Sequence, residues 1–276
     1  MNITHAAAGA CAGVALLALA WSVSAQAPSA TPTPAAPKHA AAKHAATAHA
    51  APAGPSQVVG PEALAAVRKM SAYLRTLDAF SLQVTSQRDE VDAYGQLLKF
   101  GGKTDYNAKR PDSFTIKVWE DRVERQFIYD GKSLTVFDPK SGFSARAPAP
   151  ATIRQTLDLA EEKYGITVPL EDLFRWTSGS TEEGRLTSGH YVGPARIGDQ
   201  DADQYAFRQP GVDWQIWIAK GDKPLPLRIV IVGAADPARP QYEATLAWNT
   251  APQFAADTFV FTPPANGKSI PIAPAQ

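Results

Sequence analysis

Beyond Phe80 the chain places apolar side chains at every second position in one short run after another, and this period limits its fold more than any other feature. Phe80, Leu82 and Val84 alternate with Ser81, Gln83 and Thr85. Phe114, Ile116 and Val118 alternate with Thr115 and Lys117, and Trp214, Ile216 and Ile218 with Asp213, Gln215 and Trp217. A period of two sends successive side chains to opposite faces of a strand. Further runs are read at 98–106, 123–129, 134–137, 191, 205–207, 225–232, 242–248 and 258–261. Turn signals such as Asp130-Gly131 and 138–142 separate neighbours by only a few residues, the spacing of consecutive hairpins. Gly101-Gly102 interrupts the second run and predicts a bulge or bend.

Two stretches keep a helical period instead. Within 61–77, Leu64, Val67, Met70, Tyr73, Leu74 and Leu77 share one face, with Pro61 and Glu62 suited to the first turn. Ile153, Leu157, Ala160 and Tyr164 form a second stripe that Gly165 stops, and residues 169–176 read as a further short helix. Strand and helix do not alternate regularly, which argues against a parallel Rossmann-type sheet. The expectation is a mainly β (α+β) antiparallel fold of about eleven strands, with an N-terminal helix and a central helical lid.

Parity across the runs makes one face of that sheet continuously apolar. Leu227, Ile229 and Ile231 oppose Arg228, and Tyr242, Leu246 and Trp248 oppose Gln241, Glu243 and Asn249. The simplest burial is a curved sheet with this face inward and the helical pieces over it. The candidate ligand-contacting residues are therefore Phe114, Ile116, Val118, Phe127, Trp214, Ile216, Ile218, Ile229 and Ile231. Arg125 joins them because it alternates in phase with Val123, Phe127 and Tyr129. An inward charge is costly unless it is paired or reaches a rim, so Arg125 is expected to hold the lid or a polar head group, or to face outward past a bulge.

The N-terminal quarter does not read as globular. Residues 6–20 are apolar, built on Val14, Leu16, Leu17 and Leu19, and Val23-Ser24-Ala25 follows as a small-residue cleavage site, with Ala25-Gln26-Ala27 as a second choice. Residues 1–25 are thus expected to be a signal peptide for the periplasm. The Ala and Gly content disfavours an uncleaved anchor over 6–23, and Cys11 lies too early for lipid attachment. Residues 26–57, rich in Ala, Pro, Thr and His, are expected to form a spacer that cannot bury apolar surface; residues 58–276 form the folded domain. His39, His44 and His49 lack neighbouring carboxylates or thiolates, which favours a soluble tether over a metal-capturing tract. Cys11 is the single cysteine, so a processed chain has no disulfide. Acidic and basic residues number 27 each, with only Lys38 and Lys43 before Glu62. The domain therefore lacks the basic field that draws nucleic acid.

Catalytic constellations are also missing from the sequence pattern. His190 is the domain's one histidine, and no Gly-x-Ser-x-Gly elbow occurs, which excludes the usual Ser-His-Asp context. Asp199, Asp201 and Asp203 alternate like a calcium loop, but Gln204 and Pro210 stand where Gly and Glu are required. Glu161-Glu162 and Glu171-Asp172 read as solvated helix faces, and Trp119, Trp217 and Trp248 as packed rings. The expectation is no catalytic residue, no metal site, no cofactor and no enzyme activity.

The segments Lys109-Arg110-Pro111-Asp112-Ser113-Phe114, Tyr129-Asp130-Gly131-Lys132-Ser133-Leu134 and Phe137-Asp138-Pro139 resemble the LolA/LolB lipoprotein-carrier superfamily. The run 212–218 with Pro224-Leu225-Pro226-Leu227-Arg228 resembles a narrower family of predicted periplasmic proteins of unknown function within it. The resemblance covers nearly all of residues 62–264 and implies an open antiparallel half-barrel whose apolar concave face is lidded by helices. It also implies a periplasmic binder or carrier of acyl chains, lipid or lipoprotein. The alternative is an envelope interaction or sensor module with a self-filled core, and a hydrolase ranks last. No membrane span is expected after processing. Intact-mass analysis of periplasmic material should find an N-terminus at Gln26 or Pro28; a full-length chain in the membrane fraction contradicts the assignment.

Overall fold

The structure, a computed structural model, describes residues 58–171 and 182–274. The expected signal segment and spacer, with Cys11 and the three spacer histidines, lie outside the described residues, as does most of the helix expected at 169–176. What is described of the latter is a turn at 169–171.

One antiparallel sheet organises the domain. Its strands are β1 (Ala79–Val91), β2 (Leu97–Lys109), β3 (Ser113–Glu120), β4 (Glu124–Tyr129), β5 (Ser133–Asp138) and β6 (Phe143–Pro148), followed by β7 (Ser188–Ile197), β8 (Gln200–Gln209), β9 (Val212–Ala219), β10 (Pro226–Gly233), β11 (Gln241–Asn249) and β12 (Lys268–Ile270). Their spatial order is β12-β6-β5-β4-β3-β2-β1-β11-β10-β9-β8-β7, an open sheet with β12 and β7 outermost. Two hairpin meanders are thus joined at their starting and finishing strands, where β1 pairs with β11 from Ser81↔Asn249 to Arg88↔Tyr242. Only β12 runs parallel to its neighbour, at the edge of β6.

Twelve strands replace the eleven expected because β6 and β12 are added and residues 258–261 form no strand. Instead Phe261 packs on Phe137 with ring centroids 5.3 Å apart. The Gly101-Gly102 bulge is also absent: β2 stays in unbroken register with β1 across both glycines. Gly102 is needed for close approach, since a Cβ there would lie 2.9 Å from Ser86 Oγ and 3.3 Å from Glu120 Cγ.

Helix α1 (Pro61–Arg75) buries Ala63, Val67, Met70 and Leu74, the three- and four-residue spacing of one stripe, and Leu77 continues it. The backbone Gly60 N donates to Gly189 O at 2.7 Å, which fixes the helix start at the β7 edge. At the other end Arg110 Nε donates to Leu77 O at 2.9 Å. Helix α2 (Ile153–Tyr164) buries Ile153, Thr156, Leu157 and Ala160 and ends at a left-handed Gly165. Ile153 N donates to Pro111 O at 2.9 Å, and Tyr129 hydroxyl donates to Pro150 O. The helical stripes and the inward strand residues belong to one apolar core.

The resemblance motifs do structural work at turns. Asp130 accepts hydrogen bonds from the backbone N–H of Lys132 and Ser133 at 3.0 and 2.8 Å, and from Arg146 Nη2 at 2.9 Å. Burial alone would raise this carboxyl; those donors outweigh it and hold it below the ordinary aspartate value. Its stabilising effect is therefore full above the unfolded-chain value near pH ~4 and is lost as pH falls through the lower folded value. Asp130→Ala is expected to cost about 1–2 kcal/mol at neutral pH. In thermal melts its deficit should shrink towards zero in strong acid, and a deficit that persists there assigns the loss to something other than the carboxylate.

Candidate functional site

Cross-strand register decides which side chains share the helix-covered face. Directly opposed residues lie on the same side of an antiparallel pair. Ile116 faces Tyr106 on β2 and Phe127 on β4, while Tyr106 faces Leu82 on β1. Leu82 faces Trp248 on β11, and Val84, two residues on, faces Leu246. Ala244 faces Ile229, Ile229 faces Ile216, and Ile216 faces Tyr205. The Tyr106 hydroxyl donates to Pro169 O at 2.6 Å, which sets the chain following α2 over this same face.

All nine apolar candidates therefore share one face. Phe114, Ile116, Val118 and Phe127 form one group on β3–β4; Trp214, Ile216, Ile218, Ile229 and Ile231 form another on β9–β10. None exceeds 9% exposure. Four inter-strand steps separate β3 from β10, about 19 Å along the sheet. Tyr106, Leu82, Val84 and Leu246 bridge that distance, and parity in their own runs marks them as inward.

Arg125 lies directly across from Val118 and so belongs to this face too. It is half-buried and makes no hydrogen bond or ion pair within 4 Å among the described residues. Its nearest opposing influence is Asp138, one step beyond the Gln126↔Phe137 pair. Slight burial would raise the Asp138 carboxyl; the Ser141 and Lys140 donors and the charge of Arg125 together hold it below its ordinary value. Asp138 Oδ1 already accepts from Lys140 N at 2.9 Å and Ser141 N at 3.2 Å.

Along β1 and β3 the same face turns from apolar to charged, a rim that hydrophobic periodicity does not mark. After Leu82 and Val84 the inward positions are Ser86, Arg88 and Glu90, and after Val118 comes Glu120. Arg88 donates to Glu120 at 3.2 and 3.3 Å and pairs with Glu90. Burial would lower the Arg88 guanidinium, but the two carboxylates outweigh it and raise it above its usual value. Arg122 lies 4.1 Å above the Phe100 ring and 3.6 Å from Glu90. Tyr242, opposite Arg88, has its hydroxyl pushed up to about 12, chiefly by burial. Beyond Ile218 the face ends similarly: Asp203, its partner on β8, accepts from the Tyr191 hydroxyl at 3.0 Å and pairs with Lys220 at 3.2 Å.

The other weighed residues are dispersed. His190 is exposed opposite Ala206, and Asp201 pairs with Arg196 at 3.1 Å. Trp248 faces inward and donates to Pro226 O at 2.7 Å, whereas Trp217 is on the opposite side under Arg228, 4.9 Å from its ring. Among the described residues no group of three or more His, Cys, Asp or Glu could hold a metal ion. Among the same residues no helix is long and apolar enough to cross a membrane.

Residues 63–273 match the family described as "Predicted periplasmic protein (DUF2092)". The chain belongs to this family. The match spans nearly the whole segment on which the sequence resemblance rests, and agrees with the narrower family inferred there. Comparison with curated protein sequences gives no match. Solved structures similar to the chain include LprF from Mycobacterium bovis, at 12% identity, covering 74% of this chain and 100% of that one with a TM-score of 0.43. The Mycobacterium tuberculosis lipoprotein LppX is 14% identical over 70% of this chain and 98% of its own, TM-score 0.42. A LolA superfamily protein from Nitrosomonas europaea is 12% identical over 72% and 97%, TM-score 0.37.

Gly189 shows how closely the face is packed. It opposes Phe207, which stacks on Trp214 with centroids 4.2 Å apart, and a Cβ at Gly189 would meet Phe207 Cδ1 at 2.7 Å. The stacked Trp214 leaves that ring no easy retreat. Gly189→Ala is expected to cost about 1–3 kcal/mol by overpacking, read as a lowered thermal midpoint, while an unchanged midpoint indicates a ring free to move.

Proposed function

We propose that the chain is a non-enzymatic periplasmic binder or carrier of hydrophobic ligands, exported by residues 1–25 and carrying residues 26–57 as a spacer. The observation behind this reading is the mismatch between the apolar face and its helical cover. Twelve strands span about 53 Å across the sheet. Helices of 15 and 12 residues are only about 22 and 18 Å long and about 10 Å wide. Among the described residues α1 and α2 are the only α-helices, and so broad a sheet under so short a helical cover suits a surface that exchanges part of its lid for an acyl chain. Because the nine candidate residues are already buried, such a ligand must displace a helix rather than settle into an open trough. Helix α2 suits that movement, with Ile153 and Leu157 its only large buried apolar side chains. Losing their burial costs about 3–6 kcal/mol, while ten buried methylenes return roughly 8 kcal/mol.

The complete burial of the face also favours a second reading, an envelope interaction or sensor module whose core its own side chains fill. The two readings separate on chain length. A carrier should bind fluorescent fatty acids with affinity rising about fourfold per added methylene, from ~0.8 kcal/mol each, and should release lipid on solvent extraction followed by mass spectrometry. Ile216→Trp, at a fully buried position, should weaken probe binding while the circular dichroism spectrum persists. Wild-type protein that binds no probe at any chain length and yields no lipid is an interaction module instead.

A further inference from the structure

Resting on that reading, we propose that the ligand is an anionic amphiphile whose carboxylate or phosphate head group is taken by Arg125, with its tail on the β3–β4 part of the covered face. Four inward-facing positions lie around it. Val118 is directly opposite, Phe127 is two residues along on the same strand, Ile116 faces Phe127, and Asp138 is across the next pair. The guanidinium therefore sits at the junction between apolar surface and rim.

Its bonding distinguishes it from Arg88, another arginine on the inward face. Arg88 is satisfied by two carboxylates, Glu90 and Glu120. Arg125, although half-buried, directs its donors at no described acceptor. A guanidinium offers a planar fork of donors that matches two oxygens of one carboxylate or phosphate, and loses solvation when it is half-buried without such a partner. Asp138 does not fill this role, because its Oδ1 is committed to Lys140 N and Ser141 N and no ion pair forms. It remains close enough for the charge of Arg125 to help hold its carboxyl below the ordinary value, so it offsets the cation through space and leaves the donor fork open. An anion arriving with its own apolar tail supplies the missing acceptors, and the tail replaces the existing cover over Phe127 and Ile116.

The test uses 11-(dansylamino)undecanoic acid and its methyl ester, probes of equal length that differ in head-group charge. Wild-type protein should bind the acid at least tenfold more tightly than the ester. Arg125→Gln, which keeps the stem, should remove that preference by weakening the acid about tenfold and leaving the ester unchanged. Asp138→Asn keeps an oxygen for the turn but withdraws the competing charge, and should tighten the acid severalfold without affecting the ester. Dodecyl phosphate and dodecanoate as competitors then report whether phosphate or carboxylate is preferred. Equal affinity of wild-type protein for acid and ester, or an acid-to-ester ratio unmoved by both substitutions, overturns the head-group assignment while the carrier reading stands. Failure of both probes to bind wild-type protein overturns both.

Discussion

The pairing of β1 with β11 is the contact on which the rest of the domain depends. It joins two meanders, each built from local hairpins, into one sheet and puts Leu82, Val84, Leu246 and Trp248 into common register. Without it the inward residues of β3–β4 and β9–β10 would form two separate patches. With it they become a single surface that must be withdrawn from water, and helices α1 and α2 are placed by that requirement. Their own sequences supply only apolar stripes; the sheet decides where those stripes lie.

The covered face is not uniform. Its centre contains large aliphatic and aromatic side chains, while β1 and β3 deliver charge to the same side at Arg88 and Glu120. The partly buried Arg88 tolerates that position because two carboxylates share it. Arg125 stands two rows closer to the apolar centre and has no such partners among the described residues. The covered face therefore passes from dry to charged across one continuous surface.

Much of this was legible in the chain. Alternation at Trp214, Ile216 and Ile218 placed them inward because register on a half-buried face cannot slip by one without exposing every apolar residue. Arg125 followed by the same rule, although the sequence alone left open an escape at a bulge. The rim was missed because Arg88 and Glu90 look like the polar end of a strand, whereas β1 continues for 13 residues through them. Strand β6 was missed because Ser144, Ala145 and Ala147 carry too little apolar surface to show a period. Thr258 to Phe261 showed the composition of a strand, yet the chain uses Phe261 for ring packing on Phe137 and makes no ladder there. Gly101-Gly102 suggested irregularity, and the ladder instead uses the missing Cβ to seat Ser86 beside Glu120.

The order of strands has a consequence for how the protein comes into being. Strand β1 is among the first parts of the domain to be synthesised, and β11, which completes its hydrogen bonding, is among the last. Paired positions such as Leu82 and Trp248 lie 166 positions apart in the chain. The first meander can form hairpins as it is made, but its innermost edge remains unsatisfied until nearly the whole polypeptide has been synthesised. A topology closed so late reserves cooperative folding for a nearly complete chain. It also leaves β1 an exposed template in the interval, so crowded nascent chains have a specific place at which to pair wrongly.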